Sequence, residues 1–451
     1  RAGIIEDDLL EAVIGLAPNL FYGAGIPVCI LVLRQRRGSE SGKPESRRGK
    51  VLFVNADRDY FEGRAQNYLL PEHIEKIVTT FDAYAEVPGF SAIVANATLK
   101  ANEYNLNIRR YADNAPPPEP HDVRAHLLGG VPKAEIAAKT PLFAAHGFDP
   151  LELLVERDAA YLDFRADIAS KPALKPLIER NAGVTGKETA LRAQFERWWR
   201  EHSGHITALV GSQSLVGLRQ ELLRSFSQSL ETVGVLDAFQ VRGIIAGFWN
   251  QTQYELLTLM ARGAKGVVDA WRTSIVTALE DKASKNSPLE HKLVKLLMGG
   301  FVEELAELEA KKAELDSQIK AAAPNEDEES EDTAAEVDDD NAVDEAQLKA
   351  WKQELGEVKK KLKVKKATFE AHLNEGVAGL SEAQAAELLL TILHDDMRAI
   401  VERYITQQRQ QIIAAVENWW DKYEGALTEI EQERDAAAWE LRRFLEGLGY
   451  V

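Results

Sequence analysis

The sequence predicts a mainly α-helical protein that opens with a small α/β portion and carries a long antiparallel helical hairpin. Three observations predict this class. The opening stretch holds short, nearly continuous apolar runs bounded by Gly, Pro or charge. Beyond about Pro132, apolar residues recur three and four apart with few strand signals between them. Two heptad segments then flank a tract with acidic but no basic residues.

Taken in order, Glu11-Ala-Val-Ile-Gly-Leu16, Val28-Cys-Ile-Leu-Val-Leu33 and Val51-Leu-Phe-Val-Asn55 read as strands. Runs apolar on both faces suit the centre of a sheet covered by helices. Arg34 to Lys50, with Gly38, Gly42 and Pro44, reads as a long polar loop joining two adjacent strands. Ile74, Ile77, Val78 and Phe81 recur at helical spacing from Pro71 to Tyr84, and Val87-Pro88-Gly89 breaks that helix. A short extended stretch, Ala92 to Ala95, and the run Tyr104 to Ile108 follow. Ala115-Pro-Pro-Pro-Glu-Pro120 holds an extended backbone poor in hydrogen bonds and marks the clearest boundary.

Leu215 to Phe226, Gly243 to Met260 and Leu289 to Leu308 carry helical periodicity. Phe301, Leu305, Leu308, Leu315, Ile319 and Ala322 make the first heptad stripe, and Leu348, Trp351, Leu355, Val358, Leu362 and Phe369 the second. A helix from about Pro288 to Ala323 would extend roughly 50 Å at 1.5 Å per residue. The acidic tract lies where the tip of the hairpin would be, and a self-repelling, solvated tip need not pack. Ser381 and Gln384 form a capping-box pattern ahead of the last helices, whose stripe runs through Ile413, Val416, Trp420, Tyr423, Leu427 and Ile430 to Leu441, Leu445 and Leu448. The expected divisions are 1–114, a linker 115–131, a helical domain 132–287, the hairpin 288–379 with its acidic tip 324–345, and a C-terminal helical region 380–451.

Composition bounds what this architecture can do. Hydrophobic residues make up 45% and charged residues 28% of 451, enough for a sizeable core. The net charge of −18 is misleading, because twelve acidic and no basic residues lie between Glu326 and Glu345, which leaves −6 for the rest. Cys29 is the only cysteine, so an intramolecular disulfide and a cysteine-based zinc site are excluded, and a reducing cytoplasm fits best. The histidines show no i, i+4 pairing on a helix, so no metal is expected. No run of about 18 apolar residues is present to span a bilayer, and no membrane partner is expected. The opening in mid-pattern without Met suggests a fragment or processed chain.

Two blocks carry a specific resemblance. Leu16-Ala-Pro-Asn-Leu-Phe-Tyr-Gly-Ala-Gly-Ile-Pro-Val-Cys-Ile-Leu-Val-Leu33, with Gly49-Lys-Val-Leu-Phe-Val-Asn-Ala-Asp57, resembles part of the modification subunits of type I restriction-modification systems. In those subunits the stretch leads through the fifth and sixth strands of the methyltransferase sheet to the seventh. Glu62-Gly-Arg-Ala-Gln-Asn67 and Glu103-Tyr-Asn-Leu-Asn-Ile108 continue the resemblance, and Asn418-Trp-Trp-Asp-Lys-Tyr423 is similar to the end of the family's longer members. The resemblance implies the last strands of a Rossmann-like methyltransferase sheet followed by the helical region. It implies a parent that moves a methyl group from S-adenosylmethionine to the exocyclic amine of adenine in double-stranded DNA, with a specificity subunit, a restriction subunit and a second modification subunit as partners.

The same resemblance implies that an adenine leaves the duplex and needs its lost stacking replaced. Phe21 occupies the position of the stacking aromatic, with Tyr22 the second choice. Without the resemblance, both read as packing aromatics in a turn. The family's Asn-Pro-Pro-Phe/Tyr motif and its glycine-rich cofactor turn are not found in this sequence, so the chain alone is expected to be inactive and to bind no cofactor.

The loop 34–50 carries seven basic residues against two acidic ones. Projecting from the same edge as Phe21, it would bring Arg36, Arg37, Arg47 and Arg48 to DNA phosphates, the alternative being a solvated hairpin loop. The helices after Ser381 are the candidates for the specificity subunit, with Trp419, Trp420 and Tyr423 as interface anchors. Trp198-Trp199 is a second candidate pair of anchors; in the plainer reading, one Trp of each Trp-Trp pair is core and the other half-exposed. A non-catalytic scaffold with a coiled-coil arm is the competing function, while an arm-bearing ATPase fails for want of a Gly-x-x-x-x-Gly-Lys-Ser/Thr loop.

Overall fold

The structure, a computed structural model, describes residues 1–35, 42–115, 121–211, 214–280, 288–322 and 345–450. It is mostly helical, with small sheets toward the N-terminus. Two compact units are present. The first comprises Arg1–His202, Val216–Gln253 and Asp396–Val451, and the second Ser203–Leu215 and Tyr254–Asp395.

The first unit opens with a four-stranded sheet of order β2-β1-β3-β4, made of β1 (Leu10–Leu16), β2 (Cys29–Leu33), β3 (Lys50–Ala56) and β4 (Ser91–Ala95). β1 and β3 are parallel neighbours, and β2 and β4 flank them antiparallel. The apolar runs of β1 and β3 explain their central place, because the sheet is covered on both faces. Val13, Val51 and Phe53 enter one core cluster, and Ala12, Ile14, Leu52 and Val54 enter the other. A register shift between Leu10 and Ala12 accompanies Leu10 sharing the face of Val13. Phe53 is fully buried with its ring 4.6 Å from that of Tyr111; truncating such a residue costs about 3–5 kcal/mol.

β2 departs from expectation. It lies at the edge of the described sheet and is exposed along most of its length, with Ile30, Leu31 and Leu33 each about half accessible. The loop from Arg34 to Lys50 does not join adjacent strands either, since β1 lies between β2 and β3.

Helix α1 (Pro71–Ala83) starts where Pro71 supplies a preset φ and the Leu70 amide donates to His73 Nδ1 at 3.1 Å. It ends at Tyr84, whose φ of +47° turns the chain out of the helix. Its outer face reaches the helical part of the same unit through Arg219–Glu75 at 2.8 Å and Arg403–Glu72 at 2.9 Å. Gly243 allows this approach, because a Cβ there would lie 2.7 Å from that of Glu72 and 2.5 Å from the Tyr404 hydroxyl.

A second, three-stranded sheet, β5-β7-β6, follows, with β5 (Val131–Pro132), β6 (Leu154–Glu156) and β7 (Tyr161–Phe164). Strands of two to four residues are too short for periodicity to reveal, and this sheet lies in the stretch read as helical. The expected linker is partly folded as well, since Ala125 and Val131 are buried in the core that joins this sheet to Ile412, Val416, Trp419 and Tyr423.

In the second unit, α2 (Gly299–Ala322) and α3 (Glu345–Ala378) pack through Leu305, Leu315, Val358 and Leu362. The Phe301 and Phe369 rings lie 6.0 Å apart, and the ion pairs Glu309–Lys366 at 2.6 Å and Asp316–Lys359 at 3.5 Å follow, rising along one helix while falling along the other, so the helices run antiparallel. The helix expected from Pro288 is broken at Met298, whose φ of −130° is not helical. The acidic residues 326–344 lie outside the described residues. The Ser381–Gln384 box forms as read: the Ser381 amide donates to Gln384 Oε1 at 2.9 Å, and the Gln384 amide to Ser381 Oγ at 3.3 Å.

Candidate nucleic-acid interface

Parallel strands place the loops that follow them at one end of a sheet, where ligands of open α/β sheets bind. The turn after β1 and the loop after β3 therefore meet. In the first, Asn19 at φ +57° and Gly23 at φ +73° fold Phe21 back toward Ala24, whose amide donates to the Phe21 carbonyl at 3.1 Å. Phe21 is 59% exposed and Tyr22 87%. In the second, Phe61 and Tyr68 pair backbone to backbone and close a small hairpin. Asn67 ties the two together: its side chain donates to the Pro18 carbonyl at 2.9 Å and its amide to the Asn19 carbonyl at 2.8 Å.

Behind them stands Asp57, at the end of β3. Arg109 donates to it through Nη2 at 2.6 Å and Nε at 3.1 Å, and Asn114 donates to its other oxygen. Burial acts to raise the Asp57 carboxyl, but the Asn114 and Arg109 hydrogen bonds and the arginine charges outweigh it, so the group lies below its ordinary value. The same contacts seat the turn Ile108–Arg110, whose Ile108 side chain comes within 2.7 Å of where a Cβ of Gly15 would be. Arg58 and Arg64 are exposed in the loop after β3, and Arg110 is exposed at the end of this turn.

The basic loop lies elsewhere. β2 returns antiparallel to β1, with Gly15 opposite Cys29 and Leu10 opposite Leu33, so residue 34 starts at the amino end of β1. Seven residues of strand, roughly 20 Å at about 3.3 Å each, separate that end from Phe21. The expectation of a shared edge is thus corrected by strand direction. Much of the loop's charge is also engaged there. Lys43 is buried, donating to Asp8 at 2.7 Å and to the carbonyls of Leu10 and Lys50. Arg47 pairs with buried Glu11 at 2.9 Å, donates to the Asp82 carbonyl and lies 4.7 Å from the Tyr84 ring centroid. Burial and then the Glu11 charge push the Tyr84 hydroxyl up to about 12, so it stays neutral in this corner. Arg48 is exposed at that opposite end, and Arg36 and Arg37 lie outside the described residues.

Of the aromatic anchors expected at a subunit interface, Trp419 and Tyr423 are internal. Trp419 and Tyr423 are each 2% exposed, Trp419 meets Phe143 edge-on at 5.5 Å, and half-buried Trp420 lies 4.8 Å from Phe164. Tyr423 donates to buried Glu135, and burial and that carboxylate both raise its hydroxyl well above the ordinary value. Trp198 and Trp199 are both buried, so neither is the half-exposed member of its pair. The exposed apolar stripe begins just beyond, on α4 (Leu427–Gly447), which buries none of its residues. Ile430, Trp439, Leu441 and Phe444 are exposed along it, and its first turn touches the chain where Thr428 donates to the Leu127 carbonyl at 2.9 Å.

A covered parallel strand pair thus carries exposed aromatic turns at its carboxyl end. Residues 1–119 match the N-6 DNA Methylase family. The chain is similar to methylase subunits of type I restriction enzymes. The MjaVII methylase subunit of Methanocaldococcus jannaschii is 36% identical over 130 residues, 28% of this chain and 22% of that protein. The MjaVIII methylase subunit of the same organism is 39% identical over 114 residues, 25% of this chain and 19% of that protein. A crystal structure of the type I restriction-modification system methyltransferase subunit from Streptococcus thermophilus is 29% identical, covers 24% of this chain and 21% of that one, and has a TM-score of 0.22. The matched stretch thus spans about a fifth of the length of the curated relatives.

Proposed function

We propose that this chain is the later part of a type I modification subunit whose whole protein methylates the exocyclic amine of adenine in DNA with S-adenosylmethionine. The observation that carries the reading is a coincidence of position. The stretch matching the N-6 DNA Methylase family is the stretch that folds into the four-stranded sheet and carries the Phe21–Tyr22 turn after β1. Phe21 stacks on the extruded adenine, with Tyr22 beside it. Of the basic loop, exposed Arg48 remains for a phosphate distant from that base, with Arg36 and Arg37 as further phosphate contacts, while Arg47 holds the loop to the sheet.

The turn around Gly23 and Gly25 does not fit the cofactor. Gly23 and Gly25 border open space rather than a close backbone cradle, and the turn they sit in, Pro18 to Val28, contains no carboxylate to hold a ribose. The exposed edge of β2, with Ile30, Leu31 and Leu33, is the seam against which the cofactor-binding part of the domain packs. α4 docks on the specificity subunit, α2 and α3 form a coiled-coil hairpin arm, and a second modification subunit, the restriction subunit and double-stranded DNA complete the assembly in the cytoplasm. Among the described residues no single helix is long and apolar enough to cross a membrane.

The test is transfer of labelled methyl groups from S-adenosylmethionine to duplex DNA. The chain alone is expected to give no incorporation, and the subunit with its preceding coding segment, co-expressed with a specificity subunit, to give it. Incorporation by the chain alone, or none by the assembly, would contradict the reading.

A further inference from the structure

The Phe61–Tyr68 hairpin is not used by the reading above, yet it is built as carefully as the Phe21 turn. Phe61 is 54% exposed and Tyr68 45%, an unusual amount of aromatic surface for eight residues. Gly63 makes the turn possible, because a Cβ there would collide with the Gln66 carbonyl and the Tyr68 ring. Buried Asn67 fixes the hairpin against Pro18 and Asn19, so its spacing from Phe21 and Tyr22 is set by two hydrogen bonds rather than by loop drift. Arg64 stands exposed at the tip and makes no ion pair among the described residues, and Glu62 is the hairpin's single carboxylate. Gln66 Oε1 is buried there without a hydrogen-bond partner among the described residues, an acceptor awaiting a donor.

We propose that this hairpin is a second DNA-binding prong beside the Phe21 turn, with Arg64 on a backbone phosphate, Phe61 against the bases next to the extruded one, and Asn67 as the positioning residue that sets the distance between the prongs. The inference rests on the reading of Phe21 as the base stacker. Its chemistry is that of a strand held by one charge-assisted contact and one apolar face, which suits duplex DNA opened at a single base.

The experiment uses the modification enzyme assembled on the full-length subunit and a duplex with 2-aminopurine at the target adenine. Binding is followed by anisotropy across salt concentration, and extrusion by 2-aminopurine fluorescence. Arg64→Ala is expected to weaken binding about tenfold at low salt and to reduce the salt-dependence slope by about one, as loss of one phosphate contact should. Arg64→Lys, which keeps the charge, should restore the slope, and thermal melting of each variant checks the fold. Asn67→Ala should lower the fluorescence rise while leaving the slope nearly unchanged. Phe21→Ala should abolish the fluorescence rise with the slope intact. An unchanged affinity and slope in Arg64→Ala overturns the second prong. If Phe21→Ala still loses extrusion in that case, the stacking reading survives alone; if it does not, both fall.

Discussion

Substituting Leu441→Asp and Phe444→Asp on α4 is expected to abolish co-purification of the subunit with its specificity partner and leave its own melting temperature nearly unchanged. Both side chains are more than half exposed, and no residue of this helix is buried, so the substitutions remove nothing from the chain's own core. Surface changes away from core features usually stay within about 0.5 kcal/mol. A large apolar side chain at the centre of an interface is a different matter, commonly worth about 2 kcal/mol or more, and a buried carboxylate in its place adds a desolvation cost. Two such replacements together weaken assembly by at least about a thousandfold on that scale. Pull-down with a tagged specificity subunit and a melting curve decide it. Retained assembly would remove α4 from the interface, and a collapse in melting temperature would make it a core element.

The second large effect is at Phe21. Phe21→Ala is expected to slow methylation of duplex DNA about 10- to 100-fold in the assembled enzyme, because stacking of one base on an aromatic is worth about 1–3 kcal/mol. Affinity for S-adenosylmethionine, measured by calorimetry, should not move. The reason is separation: Phe21 is exposed at the tip of its turn, and the glycines beside it cradle nothing. Equal loss of methylation and cofactor affinity would place the ring in a structural role, and a loss confined to Tyr22→Ala would pass the stacking position to that residue.

Much of this protein is legible in its sequence, for identifiable reasons. β1 and β3 are readable because strands buried on both faces have no polar alternation to confuse them. The heptad stripes of α2 and α3 predicted which residues pack, Leu305, Leu315, Val358 and Leu362 among them. Strand direction was not readable. A run such as Val28 to Leu33 looks the same whether it continues the sheet or reverses along its edge, and that reversal carries Arg34 and Gln35 to the far end from Phe21. Arg47 illustrates a related limit, since its capture by Glu11 and Tyr84 depends on residues brought together only by the fold. The burial of Trp419 and Tyr423 is not legible in the sequence, because their internal partner, the core around β5, β6 and β7, is made of strands too short to announce themselves. The Glu62–Asn67 motif was visible, but only the structure joined Asn67 to Pro18 and Asn19 and so gave the motif a place beside the candidate base.

The central claim is that the carboxyl end of this sheet faces a base drawn out of DNA. Photocrosslinking tests it most directly. The assembled enzyme is bound to a duplex carrying 5-iodouracil in place of the target adenine, irradiated, digested and mapped by mass spectrometry. A crosslink to Phe21 or Tyr22 is expected, lost in the Phe21→Ala, Tyr22→Ala variant. A crosslink confined to peptides from the basic loop 42–50 or from the helical region, with none in residues 18–28, would contradict it.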